Sequence, residues 1–176
     1  MIRQNIIHRL RYLRNWELFN IFFLPACLYF VLSFLKVQNW QPFAFGMFVV
    51  CFILAQGVFY WHRKLQIVSK REPALPSYFK PLFSLFSRID VVLLSIYPVL
   101  AIYNRTTSSA DFRVSFWSNA LFLFAVLEYL NYYHYQLSHD SWNDIRYLMK
   151  FKKIRRSPLS VDLQKNQERS RNQTAG

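Results

Sequence analysis

The chain has 176 residues, 53% hydrophobic and 19% aromatic, with 18 Phe, 11 Tyr and 5 Trp against only 3 Gly and 2 Cys. That length suits a single domain, and apolar runs of about twenty residues, enough to cross a bilayer's hydrocarbon core, argue against a water-soluble globule. So few glycines exclude a glycine-rich phosphate cradle. The formal net charge of +13 flanks the apolar runs, which points to an anionic membrane surface rather than to nucleic acid.

The N-terminal segment IIHRLRYLRNW spaces Ile6, Leu10 and Leu13 along one side with arginines around them. This pattern predicts an amphipathic helix at the headgroups. A first span follows over Leu18–Leu35, with Pro25 inside it. It is read as a retained anchor, because the bulky, charged FLKVQNW after it offers no small-residue cleavage site. The second span is predicted over Pro42–Trp61 and the third over Leu82–Tyr103, the latter interrupted by Arg88 and Asp90 and bent at Pro98. An interfacial role is expected for YFKPLFSLF, which leads into the third span. The fourth span runs from about Val114 to Leu137. Continuous rather than alternating apolar runs argue against a barrel.

After the fourth span, SWNDIRYLMKFKKIRR is expected to continue as a basic amphipathic helix to about residue 156. Its charged side carries Arg146, Lys150, Lys152, Lys153, Arg155 and Arg156, a surface for anionic lipid headgroups or an acidic partner. Residues 157–176 are polar and lack aromatics, which predicts a disordered tail. The fold class that emerges is an all-α integral membrane protein: a four-transmembrane-helix bundle with interfacial amphipathic helices, in residues 1–156, and a basic C-terminal tail.

Counting Lys and Arg orients the bundle. The N-terminal segment has four, the loop between spans two and three has five and the C-terminal region nine, against three on the opposite side. The positive-inside rule then places both termini in the cytoplasm, in a bacterial-type inner membrane.

The residues out of place in lipid are Asn20, Gln56, Arg88, Asp90, Glu128 and Asn131. At about 1.5 Å of rise per residue they all fall in the cytoplasmic half of the spans. Charged groups there cost a few kcal/mol or more and face inward, pair or snorkel. The simplest arrangement pairs Arg88 with Glu128. Asp90 is a second candidate partner, although positions 88 and 90 point about 200° apart on a helix. On the fourth span Glu128, Asn131, Tyr132, Tyr135 and His139 share a stripe about 100° wide, expected to face the other helices together with Trp117, Leu121 and Phe124.

His134 and His139 are five residues apart, a poor spacing for a shared metal on a helix. Neither G-x-S-x-G nor H-E-x-x-H occurs. No cofactor or catalytic residue is therefore expected, and the intramembrane polar cluster is read as fixing helix register. The functional expectation is a non-enzymatic accessory or structural membrane protein with a lipid- or partner-binding basic face. The alternative is a small ion- or proton-coupled transporter or channel protomer using Glu128, Asp90 and Arg88. Such a protomer needs a homo-oligomer or a membrane-complex partner, because four spans leave little room for a pore.

Overall fold

A computed structural model describes residues 2–35, 40–70, 75–107, 112–137, 146 and 154–165. Four long helices follow in order: α1 (Ile2–Leu35), α2 (Gln41–Lys70), α3 (Phe79–Thr107) and α4 (Phe112–Tyr133). A short helix, α5, covers 158–165. Among the described residues there is no strand, only an isolated antiparallel bridge between Tyr135 and Arg156.

Three helical segments, Arg3–Phe34, Gln41–Lys70 and Phe79–Tyr103, are long and apolar enough to cross a membrane. Their surfaces agree with that. Phe22, Phe30 and Phe34 on α1 are 71%, 73% and 79% exposed, and Val99, Ile102 and Phe112 are similarly bare on α3 and α4. A water-soluble chain rarely leaves apolar patches of that extent uncovered. Proline is accommodated where the chain can spare a donor. Pro42 and Pro81 lie in first turns, whereas Pro25 and Pro98 sit inside helices that continue past them.

The helices alternate in direction. The Arg3 guanidinium donates to the carbonyls of Val68 (2.8 Å) and Ser69 (2.7 Å), so the start of α1 caps the end of α2. Further along this antiparallel pair the Cys51 thiol meets the carbonyl of Ile21. On α2 and α4, Gly46 faces Leu121 and Gly57 faces Tyr132. The interval is the same in both helices, which therefore run parallel. Tyr97 of α3 stacks on Phe122 of α4 with ring centroids 4.3 Å apart. Near the other end Ser87 meets the Tyr129 hydroxyl at 3.1 Å, so α3 and α4 are antiparallel. The ends rich in Lys and Arg thus lie together.

α2 is the central helix: 56% of its most apolar window is buried inside the protein, against 11% for α3 and none for α1. Its inner face, with Val49, Val50, Ile53, Leu54 and Tyr60, forms the spine of the core. Phe79 and Phe83 of α3 complete an aromatic cluster around Tyr60, their own rings 4.5 Å apart.

Three expectations change at the basic end. The N-terminal amphipathic segment is no separate interfacial helix. It is the first part of a 34-residue α1, about 51 Å long against roughly 30 Å of hydrocarbon. On its apolar side Leu10 is buried in the protein, while Ile6 stays 45% exposed. The fourth helix ends at Tyr133 rather than Leu137. The amides of His134 and Tyr135 both donate to the carbonyl of Leu130, and the amide of Leu137 donates to the Asn131 side chain at 2.8 Å. The chain therefore turns out of the helix on an asparagine.

The third change is the tail. Disorder is expected from Ser157 onward, yet residues 154–157 run alongside 134–136, with Gln136 N–H on the Arg155 carbonyl at 2.9 Å and Ser157 N–H on that of His134 at 3.2 Å. The described end of the predicted basic helix is thus extended rather than helical. Ser157 then accepts the amide of Ser160 on its Oγ at 3.1 Å. It is an N-cap, followed by proline at the first helical position. Leu159 is only 1% exposed. A buried leucine and a capped start give 158–165 enough to order it. Residues 166–176 lie outside the described residues.

Candidate functional site

The predicted polar cluster divides into two sites. The first is a chain of hydrogen bonds in the core. Gln56 of α2 donates through Nε2 to Asp90 Oδ1 of α3 at 2.8 Å and accepts from the Tyr133 hydroxyl of α4 at 2.6 Å. Gln56 is 5% exposed and Asp90 fully buried. One neutral amide therefore joins three helices. The other carboxyl oxygen of Asp90, Oδ2, is buried and has no hydrogen-bond partner among the described residues.

Arg88 does not belong to this cluster. Phe79, Phe83, Asp90 and Tyr97 are all buried, and their spacing of four, seven and seven traces one face of α3. Arg88, about 200° from Asp90, is therefore turned outward. It is exposed, beside exposed Leu85, Val91 and Val92. The expected ion pair with Glu128 does not form. Asp90 claims the interior face, and the two directions are mutually exclusive.

The second site is a cavity of about 440 Å³ at the basic end, within the range usual for small-molecule sites. α1, α2, α4 and the segment leading into α5 enclose it. Its inner level holds Glu17 and Asn20 of α1 with Glu128, Asn131 and Tyr132 of α4. The Tyr132 hydroxyl donates to Glu17, and Glu128 is held by Asn131. Gly57 makes the first of these contacts possible, since a Cβ at that position would overlap the Tyr132 hydroxyl.

At the outer level stand Arg9, Lys64, Gln136 and Arg155. Lys64 forms an ion pair with Asp162 of α5 at 2.7 Å, and the Tyr60 hydroxyl donates to the same carboxylate at 2.8 Å. α5 is thereby latched onto α2 beside the opening. Aromatic walls are supplied by Trp16, Tyr60 and Trp61. The buried indole N–H of Trp61 lies beside the Tyr132 hydroxyl without completing a hydrogen bond.

The structure thus brings Asn20, Glu128, Asn131 and Tyr132 together, and separately Gln56 and Asp90. Tyr135 is exposed, in the bridge to Arg156. Trp117 is exposed, whereas Leu121 packs against Gly46. Of the basic surface, Arg146, Arg155 and Arg156 are exposed. His139, Lys150, Lys152 and Lys153 lie outside the described residues. Among the described residues, no three His, Cys, Asp or Glu side chains converge as a metal site.

Sequence reasoning missed Glu17, Lys64, Tyr133 and Asp162. Glu17 carried a signal, being the lone acid beside four arginines and one turn before Asn20. Tyr133 carried none, since one tyrosine among several in YLNYYHY says nothing of which reaches Gln56. Compared with known proteins, the chain matches no family model, no curated protein and no solved structure.

Proposed function

We propose that this chain is a four-span protein of a bacterial-type inner membrane, with both termini in the cytoplasm, and that it acts as a non-enzymatic accessory or structural component. α4 is taken as the fourth span because its 22 residues reach about 33 Å and its outer residues Phe116, Leu123 and Leu127 are exposed apolar groups. The orientation rests on the positive-inside rule. The basic end, including exposed Arg146, Arg155 and Arg156, is assigned to anionic headgroups or an acidic protein partner.

The observation that carries this reading is the Gln56 bridge. Hydrogen bonds link polar groups from three helices inside a packed core, an arrangement suited to fixing helix order and register. A second reading, a proton- or cation-coupled transporter protomer, draws on the unpartnered Oδ2 of Asp90.

One experiment on topology and one on flux test these readings. A fluorescent protein fused to the C-terminus should fold and glow in bacterial cells, and alkaline phosphatase fused there should be inactive. The reverse pattern would overturn the orientation. In liposomes carrying a pH dye, the wild-type protein should give no proton flux above empty vesicles. Flux that Asp90→Asn abolishes would instead establish the transporter reading.

A further inference from the structure

We propose that the cavity at the basic end binds an aminoalkyl phosphate group, with its ammonium seated against Glu17 and Glu128 and its phosphate held at the level of Arg9, Lys64 and Arg155. Charge and position carry this assignment. Glu17 lies eight residues beyond Arg9 on α1, so the backbone positions of the acidic and basic levels are offset by about 12 Å along the axis. Along α4 and the turn that follows it the same order holds, Glu128 being deep and Gln136, hydrogen-bonded to the Arg155 backbone, being at the mouth.

Among the described residues that line the cavity, Arg9, Lys64 and Arg155 stand at the mouth, with Lys64 paired to Asp162, and Glu17 and Glu128 lie deeper. A simple anion entering the inner level meets two carboxylates. A simple cation must pass three basic groups. A ligand that carries an ammonium and a phosphate on one short chain meets each level with the opposite charge. Trp16, Trp61, Tyr60 and Tyr132 line the same space, and aromatic faces beside carboxylates are suited to ammonium groups. Asn20 and Asn131 supply the remaining polar lining.

The group has two sources: the headgroup of an ethanolamine phospholipid entering from the side, or a free phosphate ester from the cytoplasm. Only the lipid source rests on the membrane placement proposed above. The test uses the full chain purified in a mild detergent. Calorimetric titration should show phosphoethanolamine binding at least ten-fold more tightly than either inorganic phosphate or ethanolamine. Glu128→Gln should weaken phosphoethanolamine by about ten-fold and leave the response to phosphate unchanged. In parallel, nanodiscs containing phosphatidylethanolamine with phosphatidylglycerol are compared with discs of phosphatidylcholine and phosphatidylglycerol, and the lipid retained on extraction is identified by mass spectrometry.

Binding of the ester alone assigns a soluble ligand, and selective retention of the ethanolamine lipid assigns a headgroup. Either supports the proposal. Equal affinity for phosphate and phosphoethanolamine, together with no selective lipid retention, overturns it, as does the absence of binding in both arms. The wild-type comparison decides even if the variant fails to fold. Because no arm measures topology or flux, failure here leaves the proposed function standing.

Discussion

Replacing Gln56 by leucine keeps the side chain's approximate size and removes both of its hydrogen bonds. The Asp90 carboxyl loses its 2.8 Å donor, and the Tyr133 hydroxyl loses its 2.6 Å acceptor. Both groups stay buried, and Asp90 already has one unpartnered oxygen. Leaving a buried polar group unsatisfied costs about 1–3 kcal/mol, and the modest average of interhelical hydrogen bonds in membrane bundles, about 0.6 kcal/mol, favours the lower part of that range. Two orphaned groups therefore predict a loss of about 2–4 kcal/mol. Unfolding of the detergent-solubilised protein by increasing SDS mole fraction would measure it. Adding Asp90→Leu to Gln56→Leu removes one of the orphans, so the double variant should lose about 1–2 kcal/mol less than the two singles summed. A single variant within about 0.5 kcal/mol of wild type, or strictly additive losses, would refute the bridge as a stabilising contact.

Other substitutions probe separate parts of the bundle. Gly57→Ala should force the Tyr132 ring off Glu17 and cost about 1–3 kcal/mol through overpacking, read in the same SDS titration. Ser157→Ala removes the cap of α5 and should cost about 1 kcal/mol. Its sharper readout is faster proteolytic cleavage near residues 158–165, and Asp162→Asn, which weakens the latch to Lys64 and Tyr60, should accelerate the same cleavage. Arg88→Ala and Glu128→Ala should be additive within about 0.5 kcal/mol, because the two side chains lie on different sides of the structure. Strong coupling between them would put Arg88 back inside the bundle.

Chain composition and hydrophobic length determine much of this protein by themselves. Apolar runs, proline placement and the distribution of Lys and Arg predict the helices, their approximate limits and which ends lie together, since these follow from local helical geometry and solvent preference. The sequence also names Asn20, Gln56, Arg88, Asp90, Glu128 and Asn131 as polar residues that need shelter.

How those residues divide is a property of packing alone. Arg88 and Asp90 are two positions apart, and only the heptad-spaced face of Phe83, Asp90 and Tyr97 against α2 and α4 decides which of them is inside. Gly57 has no meaning until Tyr132 crosses it to reach Glu17, 115 positions away. Asp162 looks like part of a polar tail until Lys64 and Tyr60 are beside it. Periodicity along one helix reports a face but no partner. The partner is set by which helices meet and at what register, and that depends on every core contact at once.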